Sequence, residues 1–242
     1  MNALLKNFLI RTITTVFFVV PAWYCFLYKP PLVTTIGLII LAAWIIFVEL
    51  PCLVSPWGWQ FYALALFYIC FPFYVMIGMN QHVFFRFYLM GAAFWIFLHD
   101  TGAYVVGTLF GTHKMAPDIS AGKTWEGFIG GFLAVAVWNM YSIISMDYKS
   151  LFTAQALFFV GFSITFTSVA TLGDLFESSL KRRAGVKDSG WILPGHGGVL
   201  DRLDSLLFVV PLLCFYIAYT TQLSFPMVSF FDVIKKIMFP RF

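Results

Sequence analysis

Residues 154–183 read AQALFFVGFSITFTSVATLGDLFESSLKRR, an apolar run that ends in acidic and then basic residues. A helix that crosses a bilayer needs about 20 largely apolar residues, and residues 154–177 meet that length. Asp174 and Glu177 continue the helical run, although an acidic side chain at the bilayer centre costs about 2.5–3.5 kcal/mol. The stretch therefore predicts a membrane span whose last turns carry functional polar groups.

The composition of the whole chain also indicates a membrane protein. Of its 242 residues, 61% are hydrophobic and only 11% are charged, whereas soluble domains carry about 25% charged residues. The net charge of +4 fits loops near anionic lipid or phosphate ligands better than nucleic-acid binding. The four cysteines have no metal-ligand spacing, so we interpret them as apolar packing residues.

Seven stretches are long and apolar enough to predict an all-α, polytopic helical membrane protein. They are residues 12–28, 32–50, 59–79, 87–110, 127–146, 154–177 and 203–222. The stretch 82–111 could also form two shorter segments. We expect about seven spans, within a range of seven to nine.

The spans predict a single integral membrane domain with three regions. Residues 1–86 form a three-span region, residues 87–225 form the catalytic membrane region, and the mixed apolar and charged tail 226–242 favours an interfacial helix. Most lysines and arginines fall on one side if the N-terminus and the loops 111–126 and 178–202 share it. The positive-inside rule then predicts that the two large loops lie in the cytoplasm, although the basic tail opposes this assignment. We expect the polar cavity of the membrane domain to open to the same side.

Two helical stripes of polar residues flank the loop that follows residue 177. The members of the first are three or four residues apart and share one helix face: Asp174, Glu177, Ser178 and Lys181. The second opens the next helix: Asp201, Asp204 and Ser205. Two such stripes can converge on a hard cation, and oxygen-only ligands suit Mg²⁺ better than zinc.

The loop between the stripes is basic and rich in glycine. It contains Lys181-Arg182-Arg183, Lys187-Asp188 and Gly195-His196-Gly197-Gly198. Basic side chains pair with phosphate, and a glycine turn lets backbone N–H groups approach it. A cation, a basic cluster and a glycine turn together predict phosphoryl or nucleotidyl transfer.

Each of these motifs alone also has a plainer structural interpretation. Lys-Arg-Arg after a span is commonly a positive-inside anchor, and the Gly-His-Gly-Gly segment alone is commonly a turn. Asp201 alone could complement the dipole of a helix N-terminus, and a lone His196 is more often a structural hydrogen-bonding residue. Their combination within one short segment is what favours a functional site.

A second charged region covers residues 99–126, where Asp100 ends an apolar run. Gly122-Lys123-Thr124 looks like the end of a nucleotide-binding loop, but the full pattern needs a glycine where this chain has Pro117. We therefore reject that loop. Lys123 and Thr124 remain candidate phosphate contacts, and an anchor at the membrane surface explains Lys123 equally well.

Residues 178–204, SSLKRRAGVKDSGWILPGHGGVLDRLD, resemble the signature of phosphatidate cytidylyltransferases, also called CDP-diacylglycerol synthases. Residues 100–127 are similar to the family too, with Ala121 where members often have proline. The resemblance covers about residues 100–222. It implies the reaction of CTP with phosphatidate that gives CDP-diacylglycerol and pyrophosphate, in phospholipid biosynthesis.

The resemblance and the spacing together give candidate roles. The candidate metal ligands are Asp174 and Asp201 first, then Asp204 and Asp188. The candidate catalytic residues are Asp174, Asp188, Asp201, Asp204, Lys181 and His196. The candidate substrate-binding residues are Asp100, Lys123, Ser178, Lys181, Arg182, Lys187, Gly197, Gly198 and Arg202.

The resemblance also implies the cofactors, the partners and the location. It implies Mg²⁺, a second cation such as K⁺, a homodimer, and a multi-pass protein of the bacterial inner membrane. Two alternatives stay open. A CTP-dependent lipid-alcohol kinase would transfer the γ-phosphate instead of the cytidylyl group, and an ion or phosphate transporter would line its path with intramembrane carboxylates.

Overall fold

Long helices build this protein, seen in a computed structural model that describes residue 21 and residues 23–145, 152–192 and 197–221. The helices are α1 (Pro31–Leu53), α2 (Trp59–Gln81), α3 (Val83–Phe110), α4 (Trp125–Ser145), α5 (Phe152–Arg183) and α6 (Leu200–Thr221). Residues 23–28 are also helical. Between α3 and α4 lies an antiparallel hairpin of β1 (Lys114–Ala116) and β2 (Ser120–Thr124).

Four helices in the described part of the chain are long and apolar enough to cross a membrane. They are α1, α2, α3 and the Phe159–Arg183 part of α5. The prediction of a helical membrane protein is therefore confirmed. Helices α4 and α6 coincide with the predicted spans 127–146 and 203–222 but are not among these four. The number of seven spans stays a prediction, because most of 12–28 and the whole tail 226–242 lie outside the described residues.

Two features of the described chain correct the sequence interpretation. Helix α3 is continuous from Val83 to Phe110, so the alternative of two shorter segments in 82–111 is wrong. The hairpin shows that the chain is not all-α. Pro117 takes the second position of a turn in which the Ile119 amide donates to the Ala116 carbonyl over 3.2 Å. Proline presets the backbone for that position, so the connection between α3 and α4 folds back as two strands.

Two helices contain a wider, π-helical turn just before a proline. In α1 this turn is Ile45–Glu49 and Pro51 follows it. In α2 it is Leu64–Cys70 and Pro72 follows it. Proline has no N–H to donate to the preceding turn and its ring displaces a carbonyl there. The widened turn accommodates that loss, and π-turns of this kind are frequent at functional sites.

Helix α6 lies at the centre of the described bundle, where it packs against α2, α3 and α5. Its buried side chains Leu207, Val210 and Leu213 join the hydrophobic core that α2 and α5 also line.

The two charged loops meet at one end of this bundle, which we call the loop end. There the Arg182 guanidinium donates to the Ile119 carbonyl of the hairpin over 3.1 Å. This contact agrees with the prediction that both loops share a side.

Helices α3 and α4 pack through glycines. A Cβ on Gly102 would lie 2.6 Å from the Gly130 carbonyl oxygen, and a Cβ on Gly127 would lie 2.9 Å from the Ala103 carbonyl oxygen. Small residues of this kind let helix backbones approach closely in membranes. The close approach fixes the start of α4, and with it the hairpin that carries Lys123.

We expect the Gly130→Ala substitution to lower the thermal unfolding midpoint in detergent by about 2–12 °C, because overpacking costs about 1–3 kcal/mol. An added Cβ at Gly130 would lie 2.5 Å from Val106 and 2.7 Å from the Gly102 carbonyl. Gly91→Ala on α3 is the matched control, because its nearest neighbour is Trp95 at 3.8 Å. Equal midpoints for the two variants would contradict close packing of α3 on α4.

Candidate active site

A buried lysine joins the end of α5 to the start of α6. The Lys181 ammonium forms an ion pair with Glu177 and a second with Asp201 Oδ1 at 2.6 Å. The three side chains are 12%, 0% and 5% exposed, respectively. A buried charge without a partner is strongly destabilising, so each of these groups depends on the others. The two predicted stripes therefore meet at the Lys181 ammonium, and their convergence on a hard cation stays a prediction.

Asp201 also organises the loop that precedes it. Its Oδ2 atom accepts hydrogen bonds from the Gly198 amide at 2.7 Å, the Ser189 amide at 2.9 Å and the Ser189 hydroxyl at 3.0 Å. Because Lys181 occupies Oδ1, both oxygens of Asp201 are engaged by the protein. A metal ion at Oδ2 would have to displace one of its three donors, and one at Oδ1 would lie beside the Lys181 ammonium.

The hairpin contributes Lys123 to the same end of the bundle. Lys123 Nζ lies 2.6 Å from Asp174 Oδ2 on α5, and Ser178 donates to Asp174 Oδ1 over 3.3 Å. The side chains of Lys123 and Asp174 are 21% and 37% exposed, so solvent reaches this pair. The structure thus brings Lys123 of the second charged region onto Asp174 of the first.

Three carboxylates from three helices interact electrostatically around Lys123. They are Asp100 on α3, Asp174 on α5 and Asp204 on α6, and we call them the carboxylate cluster. Gly173 allows α5 and α6 to approach closely here, because a Cβ on it would lie 2.8 Å from the Asp204 carbonyl oxygen. Asp174 and Asp204 lie on the same helices as Lys181 and Asp201, so the cluster adjoins the Lys181 network.

The donor chemistry of the carboxylate cluster fits a hard cation. Within the described ranges, no group of three or more His, Cys, Asp or Glu side chains is arranged to hold a metal ion. Mg²⁺ at nucleotide sites, however, commonly takes one or two carboxylates and completes its shell with water and substrate phosphate. Asp174 and Asp204, both partly exposed, suit that mode better than Asp201.

The remaining predicted residues are spread around this core. Asp188 and Lys187 are exposed on the loop, and Arg202 is exposed on the first turn of α6. Asp188 lies beside Gly197, whose added Cβ would be 3.2 Å from the Asp188 Cβ. His196 falls in 193–196, outside the described residues, so its predicted role stays a prediction.

The glycine turn packs against protein carboxylates. Gly197 has a φ of +83°, a left-handed conformation that favours glycine. The Gly198 amide donates to Asp201, and a Cβ on Gly198 would lie 2.8 Å from Glu49 Oε2. A phosphate contact by Gly197 and Gly198 stays a prediction, and the observed partners of this turn are Asp201 and Glu49.

Glu49 of α1 is the site residue that the sequence interpretation missed. It is only 1% exposed and accepts hydrogen bonds from the Val199 and Leu200 amides at 2.7 and 2.8 Å. A signal was available, because Glu49 is an acidic residue in the otherwise apolar run GLIILAAWIIFVELPCL at 37–53. Intramembrane carboxylates are functional candidates by default.

The base of the hairpin is fixed by Glu126 at the start of α4. Its carboxylate accepts from the Thr112 hydroxyl at 2.8 Å and lies 2.6 Å from His113 Nδ1. The hydrogen bond with the His113 side chain is the main reason that the pKa of Glu126 falls to about 2. Glu126 is therefore ionised at neutral pH and holds the hairpin in place beside α5.

Fold and site together define a helical membrane protein with a cluster of carboxylates and basic groups at one end of its bundle. The model of the cytidylyltransferase family matches residues 2–220. The chain belongs to this family, which confirms the resemblance seen in its sequence.

Curated relatives carry a more specific name. The phosphatidate cytidylyltransferase of Staphylococcus saprophyticus is 45% identical over 126 residues, which is 52% of this chain and 47% of the relative. That of Thermotoga maritima is 40% identical over 157 residues, which is 62% of this chain and 56% of the relative. The chain thus spans about half the length of the curated relatives it matches.

We expect Lys181→Met to lower the free energy of unfolding by about 3–5 kcal/mol, because it leaves two buried carboxylates without their cation. Lys187→Met is the matched control, since Lys187 is exposed on the following loop and such surface changes stay within about 0.5 kcal/mol. Unfolding in mixed micelles measures both values. A Lys181 variant as stable as the Lys187 variant would show that Lys181 does not hold α5 to α6.

Proposed function

We propose that this chain is a phosphatidate cytidylyltransferase, which converts CTP and phosphatidate to CDP-diacylglycerol and pyrophosphate. The observation that carries the proposal is the pairing of Lys181 with Asp201, beside the pair of Lys123 and Asp174, at the end of an apolar bundle. Membership of the cytidylyltransferase family and the names of the relatives support the same reaction.

The position of the site suits these two substrates. Phosphatidate keeps its acyl chains in the bilayer, and CTP is too charged to leave water. A site at the end of the spans gives both molecules access. We propose that the loop end faces the cytoplasm, where CTP is available, and that the protein lies in the bacterial inner membrane.

The chemistry requires little proton transfer from the protein. A phosphate oxygen of phosphatidate, ionised near neutral pH, attacks the α-phosphorus of CTP. The bond from that phosphorus to the bridging oxygen of the β-phosphate breaks, and pyrophosphate leaves with the electron pair. The difficulty is to hold two anions together, so orientation and offsetting charge supply the catalysis.

We assign these tasks to residues by their exposure. Lys187 and Arg202 are exposed beside the site, which suits contact with the phosphates of either substrate. Lys123 can exchange part of its pairing with Asp174 for a phosphate, because solvent reaches both groups. Arg182 is exposed as well, and it donates to the hairpin at Ile119, so it also holds β1 and β2 near the substrates.

We further propose that Asp174 and Asp204 bind Mg²⁺ together with substrate phosphate. The bound ion would neutralise phosphate oxygens and the charge that develops on the leaving pyrophosphate. The proposals of a second cation, such as K⁺, and of a homodimer rest on the family resemblance alone.

The reaction is tested with CTP labelled in either the α- or the γ-phosphate. Purified protein in phosphatidate micelles should move the α-label into lipid and the γ-label into pyrophosphate, and EDTA should stop both. The two labels separate the alternatives. Entry of the γ-label into a lipid alcohol would indicate a kinase, and phosphate uptake by proteoliposomes without a lipid product would indicate a transporter.

We expect Asp201→Asn to lower turnover by about 10- to 100-fold while the protein still inserts and folds. An amide in place of the carboxylate cannot accept from Lys181 and from the donors at Ser189 and Gly198 at once. Asp118→Asn is the matched control, because Asp118 is exposed on the turn of the hairpin. Retained turnover in the Asp201 variant would remove Asp201 from the site.

A further inference from the structure

The carboxylate of Glu49 lies inside the bundle and accepts four hydrogen bonds. Its Oε1 atom accepts from Trp44 Nε1 at 3.1 Å and from the Val199 amide at 2.7 Å. Its Oε2 atom accepts from the Ser189 hydroxyl at 3.2 Å and from the Leu200 amide at 2.8 Å. Three of these four donors belong to the loop and helix start that follow α5.

Glu49 caps α6 from a distant part of the chain. The first amides of any helix have no acceptor within that helix, and the partial positive charge there favours an anion. The usual cap is a side chain next to the helix start. Here the capping carboxylate comes from α1 and is 151 residues away from Leu200 in sequence, so the start of α6 is fixed relative to another span.

Two glycines of the loop leave room for this carboxylate. A Cβ on Gly190 would lie 3.0 Å from Glu49 Oε1, and a Cβ on Gly198 would lie 2.8 Å from Glu49 Oε2. Both distances are too short for ordinary contact, so larger residues would push Glu49 away. The loop is therefore shaped around Glu49 at these two positions.

Ser189 connects Glu49 to Asp201. The Ser189 hydroxyl lies 3.2 Å from Glu49 Oε2 and 3.0 Å from Asp201 Oδ2, and its amide also donates to Asp201. A hydroxyl has one proton to donate, so it serves the two carboxylates in turn or shares the proton between them. A shift of Glu49 would thus reach Asp201 through Ser189.

We propose that Glu49 is a positioning residue for the reaction proposed above, on which this inference rests. It holds Ser189 and the first turn of α6 so that Asp201, Arg202 and Asp204 keep the geometry that the substrates require. Glu49 itself does not touch the reacting atoms. The competing interpretation is a purely structural tie, whose loss would lower stability without a separate effect on turnover.

The test compares Glu49→Gln with Asn80→Ala. Glutamine keeps the size of the side chain, but its NH₂ group cannot accept from the amides of α6. Asn80 is the matched control because it is fully buried and bonds to the Pro31 carbonyl and the Thr35 hydroxyl at 2.8 and 3.1 Å. Those partners lie at the opposite end of α1, so the control removes buried hydrogen bonds away from the site.

We expect Glu49→Gln to lower kcat by about 10- to 100-fold, the range for residues that orient a reactive group, with a smaller change in the KM for CTP. Hydrogen exchange at the amides of residues 198–201 should become at least about tenfold faster. Asn80→Ala should lower the thermal midpoint and leave kcat and this exchange as in the wild type. Glu49→Asp, which keeps the charge but is shorter, should restore part of both kcat and protection.

Three results would overturn the inference. Unchanged exchange in the Glu49→Gln variant would show that Glu49 does not hold the loop, and faster exchange with normal kcat would show a purely structural tie. If Glu49→Gln does not fold, the Glu49→Asp and Ser189→Ala variants replace it in the test. A normal kcat in both variants would show that Glu49 is not a positioning residue. Hydrogen exchange is measured without substrate, so it tests the contact of Glu49 independently of the reaction. Absence of cytidylyltransferase activity in the wild type would refute the proposed reaction and not this contact.

Discussion

The buried pairing of Lys181 with Glu177 and Asp201 is the interaction on which the rest of the site depends. It joins the last turn of α5 to the first turn of α6. The desolvation cost of three buried charges is offset only when their geometry is held well, so the network favours one arrangement of the two helix ends. Two of these three charges also complement the helix dipoles, because Lys181 lies at a C-terminus and Asp201 at an N-terminus.

This pairing divides the charged residues into two groups with different tasks. Lys181 and Asp201 are buried and satisfied within the protein, so they set the geometry of the loop. Lys123 and Asp174 are partly exposed and can exchange partners when a phosphate or a cation arrives. A site for two anionic substrates needs both kinds of group, because fixed charges preserve the geometry while accessible ones bind and release.

The sequence predicted those parts of the molecule that depend on local spacing. The spans follow from apolar runs, and the pairing of Glu177 with Lys181 follows from a separation of four residues on one helix. The hairpin was missed because its strands, Lys114–Ala116 and Ser120–Thr124, are too short to show an alternating pattern. The apolar run around Glu49 marks it as a candidate, but its partners could not be predicted, because they are far away in sequence and no local pattern encodes such a contact.

The contact of Glu49 with α6 satisfies two sets of polar groups that would otherwise lack hydrogen-bond partners. A carboxylate in an apolar helix lacks water to hydrate it, and the first amides of α6 lack acceptors. The Val199 and Leu200 amides donate to the Glu49 carboxylate at 2.7 and 2.8 Å, so each group satisfies the other. Because the carboxylate comes from α1 and the amides from α6, packing of the spans and ordering of the loop occur together. Glycines at 190 and 198 permit the close approach of Glu49 that these hydrogen bonds require.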